Sequence, residues 1–416
     1  MTFSSDASSV LSQPLTLPNG TVIKNRIGKS AMSEALGTVD NRMTNGLAKL
    51  YERWADGGTG LLITGNVMID RRALGEPNNV AIEDERDLAK LSEWAKVGTR
   101  NGTELWMQIN HPGKQSPKGL NAENVAPSAI PFGEALSRFF TTPRELVEAE
   151  IEDIIRRFGL AAAVAKKAGF TGVQIHGAHG YLVSQFLSGH HNQRQDRWGG
   201  SAENRRRFVL EVFREIRAQV GKSFPIGIKL NSADFQKGGF SEEESLDVIR
   251  ALADAGIDLI EISGGTYEAP AMSGLRQKES TRRREAYFLE FAEKARAAVN
   301  TPLMLTGGFR TCAVMAEAIS SGAIDIVGIG RGLAIEPDLP LRVLAGQDPR
   351  YLVKPIKTGI SPIDRMALME VAWYSRQLRR MANGREPRPN ESAVLSFLAV
   401  MAENGWHTFK TRRLRA

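Results

Sequence analysis

The feature that most constrains this chain is an alternation: eight short apolar runs, each separated from the next by a longer segment with helical spacing, in one uninterrupted series. Apolar runs of roughly four to eight residues bounded by turn residues read as buried strands, and longer stretches with apolar positions three and four apart read as helices. The spacing predicts strands at Arg26 to Met32, Gly60 to Val67, Glu104 to Asn110, Gly172 to His176, Pro225 to Leu230, Asp258 to Ser263, Pro302 to Thr306 and Asp325 to Gly330. It predicts helices at Gly46 to Asp56, Glu85 to Asn101, Arg144 to Ala168, Ala202 to Val220, Ser241 to Ala255, Glu285 to Val299 and Arg310 to Ser321. Ser241-Glu-Glu-Glu resembles a capping box, and Gly169 and Gly256 stand just past helix ends. Eight βα units in series argue for an α/β fold of the TIM (β/α)8 barrel type, because an open doubly wound sheet rarely needs so many.

The rest of the chain frames that barrel. A polar leader runs to about Val10, and Pro18-Asn19-Gly20 marks a turn. The barrel is expected to occupy residues 1–356. Residues 357–416 are expected to form a C-terminal helical extension, with one helix from Ser361 to Met381 and another from Asn390 to Glu403. Trp373, Leu378, Phe397 and Trp406 are its expected anchors, packed on the barrel or at an interface between copies in a homo-oligomer.

Composition narrows the function. With 42% hydrophobic and 24% charged residues the chain is ordinary globular material. It contains no apolar run long enough for a bilayer, and its start lacks a basic region followed by an apolar segment, so the expectation is a cytoplasmic protein. The single cysteine, Cys312, excludes an intramolecular disulfide, a CxxC pair and a cysteine-ligated iron-sulfur cluster. Most of the net charge of +7 lies from Arg376 onward, where nine Lys/Arg face three Glu. Such a tail can dock on nucleic acid or an anionic membrane, but a solvated terminal helix is the simpler reading, and neither partner is expected.

In a barrel of this type, function gathers where strands end. Those ends read Ala31-Met32-Ser33, Thr64-Gly65-Asn66, Gln108 with Asn110-His111, His176 with His179 and Tyr181, Lys229, Ser263-Gly264-Gly265, Thr306-Gly307-Gly308, and Gly330-Arg331-Gly332. Any one of these residues alone is an ordinary polar or turn residue; their recurrence at successive strand ends points to a site. Three hydrogen-bonding groups, His176, His179 and Tyr181, leave one strand end together. Gly307-Gly308-Phe309 and Gly330-Arg331 follow the last two strands, where small residues expose backbone amides to an anion and Arg331 adds a charged fork. A phosphorylated cofactor or substrate is therefore favoured. A metal bound by His-x-x-His with His190-His191 is the rival for the imidazoles; it lacks a carboxylate or cysteine at a matching strand end.

Several stretches carry a family resemblance. Lys24-Asn25-Arg26-Ile27, Trp106-Met-Gln108-Ile109, His176-Gly-Ala-His179-Gly-Tyr181 and Arg194-Gln-Asp196-Arg-Trp-Gly199-Gly200-Ser-Ala-Glu203-Asn204-Arg205 resemble the old yellow enzyme family of FMN-dependent ene-reductases, from about Leu15 to about Leu344. The resemblance implies FMN across the barrel mouth, with Ala31, Met32 and Ser33 near its ring, Gly65 and Gln108 at the pyrimidine edge and Lys229 near N1. It implies Gly307, Gly308, Phe309, Gly330 and Arg331 toward the phosphate. It further implies that His176, itself beside the flavin, and His179 hold a substrate carbonyl oxygen while Tyr181 supplies a proton, with NADH or NADPH as electron donor and a small activated alkene as substrate. The chemistry is coherent: hydride delivery from flavin N5 builds charge on the conjugated oxygen, and a phenol titrating near about 10 can protonate the carbanion. Two departures stand out: many relatives carry arginine where this chain has Lys229, and Ser33 occupies a position that varies. A tRNA-modifying flavin barrel is disfavoured, because the loop Asn110-His111-Pro112 lacks the cysteine acid of that class. A flavin-dependent dehydrogenase or demethylase of the same family stays open as an alternative.

Overall fold

In the computed structural model, residues 5–266, 268–269, 285–349, 356, 368–396, 398–399 and 402 are described. Eight strands, β1 (Ile27–Lys29), β2 (Leu61–Ile63), β3 (Glu104–Asn110), β4 (Gly172–Gly177), β5 (Ile226–Asn231), β6 (Leu259–Ser263), β7 (Leu303–Thr306) and β8 (Ile326–Ile329), pair only in parallel. β8 pairs with β1 and β4 with β3, so the sheet closes on itself into the expected barrel. Helices surround it: α1 (Ser5–Ser12), α2 (Asn45–Asp56), α3 (Leu88–Gly98), α4 (Glu148–Ala168), α5 (Ala202–Val220), α6 (Glu242–Ala255), α7 (Leu289–Ala298), α8 (Cys312–Ser320) and α9 (Leu368–Ala382).

Local signals place most boundaries. Ser241 caps α6 reciprocally: its hydroxyl accepts from the Glu244 amide while the Glu244 carboxylate accepts from the Ser241 amide. Gly169 and Gly256 close α4 and α6 at φ of 96° and 88°, values that glycine adopts without penalty. β2 stops at Ile63, short of the expected Val67. There the Thr64 amide still donates to the Trp106 carbonyl, but side chains take the next positions: the Thr64 hydroxyl accepts from the Gln108 amide, and the Gly65 amide donates to Glu34 and Tyr51. Val67–Met68 then forms a separate short strand with Val80–Ala81. The expected polar leader is instead a helix, α1, because Leu11 inserts fully into the core and its carbonyl accepts from the Arg26 amide. Arg144–Glu145 pairs with Val125–Ala126 as a short strand before α4 begins.

The bottom of the barrel is filled by Trp106, packed with Ile63, Leu61, Leu259, Met304 and Ile326, and is covered by Leu15, Leu17 and Ile23 of the N-terminal hairpin. Two glycines make room for the indole. A Cβ on Gly172 would lie 2.6 Å from Trp106 Nε1, and one on Gly227 2.8 Å from its Cζ3. The expected extension helix is α9; residues 357–367, with the predicted start at Ser361, and the anchors Phe397 and Trp406 lie outside the described residues. Trp373, Tyr374, Leu378 and Met381 of α9 join the main core, so the helix packs on the barrel's own layer. Among the described residues no helix is long and apolar enough to cross a membrane. Cys312 is buried, and burial together with Asp348 pushes its thiol up to about 12, as suits a packing residue.

The glycine pair yields a first prediction. Gly172→Ala and Gly227→Ala should each destabilise the fold by about 1–3 kcal/mol through overpacking against Trp106. Urea unfolding checks this; a midpoint unchanged in both variants would contradict the packing assigned to the indole.

Candidate active site

The strand ends meet at the C-terminal rim as expected, and the register decides which side chains face one another. β4 brings His176 level with Lys229 of β5, β5 brings Lys229 level with Glu261 of β6, and β3 brings Gln108 level with Gln174 of β4. Lys229 Nζ lies 2.9 Å from Glu261 Oε1, with both side chains buried. The same carboxylate accepts from Thr306 at 2.6 Å and from Gln174 at 2.8 Å. Thr306 continues to Ser30 at 2.7 Å, and Gln174 accepts from Gln108 at 2.7 Å. A continuous polar layer thus crosses the barrel from β1 to β3 through β7, β6 and β4, with Lys229 as its cation.

The imidazole pair stands beside this layer. His179 has φ of 62° and Gly180 of 80°, so the chain turns sharply after β4 and folds the His179 ring back to 5.2 Å from that of His176, edge-on. Tyr181 follows at 4.7 Å from the His176 ring. His176 Nδ1 accepts from the Ala178 amide at 3.4 Å, which assigns its proton to Nε2. His179 Nε2 lies 2.8 Å from the Ser263 hydroxyl, and its backbone amide donates to Asn231. The Tyr181 oxygen accepts from Asn66 at 3.3 Å, and Asn66 in turn accepts from Asn110. The ends of β2 to β6 are therefore all tied to this cluster.

A second buried network lies behind β1 and β2. Lys29 Nζ donates to Tyr51 and to the Ile63 carbonyl and sits 4.4 Å from the Trp54 ring centre; Tyr51 donates to Glu34, and both Tyr51 and Glu34 accept from the Gly65 amide. Burial pushes Lys29 down to about 8 and raises the Glu34 carboxyl and the Tyr51 phenol. Sequence reasoning named neither this group nor Glu261 and Gln174. The available signal was a charged residue inside an apolar run, as in Ile27-Gly-Lys29 and Leu259-Ile-Glu261.

The other expected residues fall as follows. Ala31 and Met32 run between Gly65 and Gly330: the Met32 carbonyl would lie 2.3 Å from a Cβ on Gly65, and its side chain 3.7 Å from one on Gly330. Ser33 directs its hydroxyl to Glu76, and its carbonyl accepts from Ser375 of α9. Gly307 and Gly308 adopt φ of 136° and 91°, with the Tyr287 ring where a Cβ on Gly308 would be, and Phe309 is buried. Arg331 begins the short helix Arg331–Ile335 and donates to Glu370 of α9 at 2.8 Å. Tyr267, Met272, Arg276 and Arg282 to Arg284, in the segment after β6, lie outside the described residues.

Two further sequence features take other roles. Buried Arg194 and Asn192 form a knot with the exposed Asp196: Arg194 donates to the Pro127 and Leu146 carbonyls and to Asp196, and Asn192 to the Phe186 and Trp198 carbonyls. That motif fastens the loop after β3 to the loop after β4. His190 and His191 do have a carboxylate neighbour, contrary to the sequence expectation: Glu268, in the loop after β6, lies with them inside 4.8 Å, among the described residues the one group of ligand atoms so placed. Lys114 already stands there as a cation, 3.1 Å from His191 Nδ1 and 4.0 Å from Glu268, and donates to the Ile130 and Pro131 carbonyls.

The chain belongs to the NADH:flavin oxidoreductase / NADH oxidase family, whose model matches residues 10–349. It is similar to the NADH-dependent flavin oxidoreductase iliE of Hypocrea jecorina (strain QM6a), 39% identical over 358 residues that cover 80% of this chain and 88% of the relative. An old yellow enzyme homologue from Zymomonas mobilis superposes with a TM-score of 0.70 at 25% identity, covering 82% of this chain and 95% of that one. A 2-naphthoyl-CoA reductase in complex with 2-naphthoyl-CoA superposes with a TM-score of 0.75 at 26% identity, covering 82% of this chain and 53% of that one. The activity class is thus an NAD(P)H-dependent flavin oxidoreductase of the old yellow enzyme type.

The imidazoles also set a pH dependence. Burial holds His176 well below the usual range, with His179 and Lys229 adding repulsion; burial and Lys229 push His179 down to about 3, and burial pushes His111 to about 4. In the unfolded chain these rings protonate near about pH 6.5. The unfolded state therefore binds more protons below that value, so the stability contributed by the neutral rings is complete above about pH 6.5 and is lost as pH falls toward the folded values. The melting temperature should decline between about pH 7 and 5, before most carboxylates titrate, and His179→Asn should flatten the decline. A melting temperature constant across that interval would contradict the assignment.

Proposed function

We propose that this flavin oxidoreductase uses FMN and NAD(P)H to reduce the activated C=C bond of a small α,β-unsaturated carbonyl compound. The observation that carries the reading is the cluster at the end of β4: the His179 imidazole and the Tyr181 phenol lie 5.2 and 4.7 Å from the His176 ring, and His176 is level with the buried Lys229.

The residues present fit FMN. Gly307 and Gly308 hold backbone angles that favour glycine, and the Arg331 fork at the next strand end offers a cation suited to a phosphate. Gln108 and Lys229 offer an amide and an ammonium on the polar layer, suited to the polar edge of a flavin ring. When bound, FMN supplies the two-electron chemistry that passes hydride from the nicotinamide to the alkene.

The chain's own part is to hold the substrate oxygen and move a proton. His176 donates through Nε2–H. His179 donates through Nδ1–H in the tautomer in which the Ser263 hydroxyl donates to Nε2. Both rings are neutral, so each offers one N–H without adding charge, and the two together stabilise the negative charge that reduction develops on the carbonyl oxygen. Tyr181, its oxygen held by Asn66, delivers the proton to the carbon α to the carbonyl.

Tyr181→Phe should slow alkene reduction about 100-fold or more while leaving flavin reduction by NAD(P)H unchanged. Rapid mixing separates the two half-reactions, and equal slowing of both would sink the proton-donor role. For the oxygen clamp, titration with a phenol is the direct check: His176→Ala should weaken phenolate binding about tenfold or more, and an unchanged affinity would remove the clamp.

A further inference from the structure

The helix α9 lies beyond residues 10–349, the part of the chain that the family model matches, yet it reaches two strand ends that the flavin reading uses. Glu370 Oε2 accepts from Arg331 Nη1 at 2.8 Å, and Glu370 is itself buried. One turn and a half further on, the Ser375 hydroxyl donates to the Ser33 carbonyl at 3.2 Å. β8 and β1, which lead to Arg331 and Ser33, are neighbours in the closed sheet, so a single helix bridges the seam where the barrel's last strand meets its first.

The helix is well fixed for such a task. Its Trp373, Tyr374, Leu378 and Met381 enter the main core, and Trp373 Nε1 donates to the Glu391 carbonyl at 3.0 Å. Gln377 accepts from the Arg388 amide, and the Glu391 carboxylate accepts from both Arg376 and Gln377, so the chain after α9 folds back on it. Against the other flank, the Ala382 Cβ would lie 3.4 Å from a Cβ on Gly46, which brings α9 onto the start of α2.

We infer that Glu370 is a positioning residue for the cofactor phosphate: by holding one nitrogen of the Arg331 fork, it turns the remaining N–H groups of that guanidinium toward the anion site beside Gly307 and Gly308. A guanidinium is planar and can bridge two anions through different edges, and fixing it in advance lowers the side-chain entropy lost on binding. Charge alone makes the opposite demand, because a carboxylate beside a phosphate repels it. The two effects are separable: Glu370→Ala removes both the anchor and the charge, whereas Glu370→Gln keeps an oxygen that accepts from Arg331 and removes only the charge. The inference rests on the flavin reading proposed above.

The test uses full-length protein stripped of flavin, with affinities for FMN and for riboflavin, which lacks the phosphate, read from flavin fluorescence. Glu370→Ala should weaken FMN about tenfold with riboflavin affinity unchanged, and Glu370→Gln should restore most of the FMN affinity. Unchanged or tighter FMN binding by Glu370→Ala would overturn the inference, as would equal losses for both flavins, which mark a general packing defect. Should Glu370→Ala fail to fold, Glu370→Gln and Arg331→Gln decide: the inference requires that Arg331→Gln lose FMN selectively and that Glu370→Gln keep it. Binding of neither flavin by the parent protein would overturn the flavin reading itself and this inference with it, an outcome distinct from a parent that binds FMN and a variant that does not care.

Discussion

The ion pair between Lys229 and Glu261 is the interaction on which the barrel's upper half depends. Two opposite charges inside a barrel are costly to desolvate and persist only when every lone pair and proton is matched. Here Glu261 accepts from Lys229, Thr306 and Gln174, and the last two pass the network to Ser30 and Gln108. The layer therefore locks the relative heights of β1, β3, β4, β5, β6 and β7. It also sets the electrostatics above it: Lys229 is among the causes that keep His176 and His179 uncharged.

Neutral imidazoles matter to what the rim can do. In the reaction proposed for it, two neutral donors stabilise the charge that develops on the carbonyl oxygen and hold the neutral carbonyl product less firmly once the α-carbon is protonated. The backbone assists: the left-handed conformation of His179 costs conformational energy, offset by the bonds from its amide to Asn231 and from its ring to Ser263, while Gly180 continues the turn without penalty. The motif around Arg194 keeps this turn in place from outside, by tying the loops after β3 and β4 together through buried carbonyls.

Much of this was legible from the residues alone. The eight βα units, the capping box at Ser241, the closing glycines 169 and 256, and the strand ends bearing His176, Gln108 and Lys229 follow from period, turn chemistry and the rule that barrel function gathers at one face. The errors have physical causes. Helix α1 reads as a polar leader because most of its residues are Ser and Asp; its buried anchors are Ala7 and Leu11. β2 ends early because side chains of Thr64, Glu34 and Tyr51 replace ladder partners, a substitution that periodicity does not register. Glu268 joins His190 and His191 only through the folding of the loop after β6.

The division follows from the range of the forces involved. The sequence by itself determined the series of βα units, the cluster of His176, His179 and Tyr181, and the glycine-rich ends after β7 and β8, because each depends on residues a few positions apart. Only the tertiary structure decided that Lys229 is matched by Glu261, that Ser263 engages His179, that Ser33 turns its hydroxyl to Glu76, and that Glu370 and Ser375 of the C-terminal helix reach Arg331 and Ser33. Each of these pairs joins residues from different units of the chain, and it is barrel closure and helix packing that bring them within a hydrogen bond of one another.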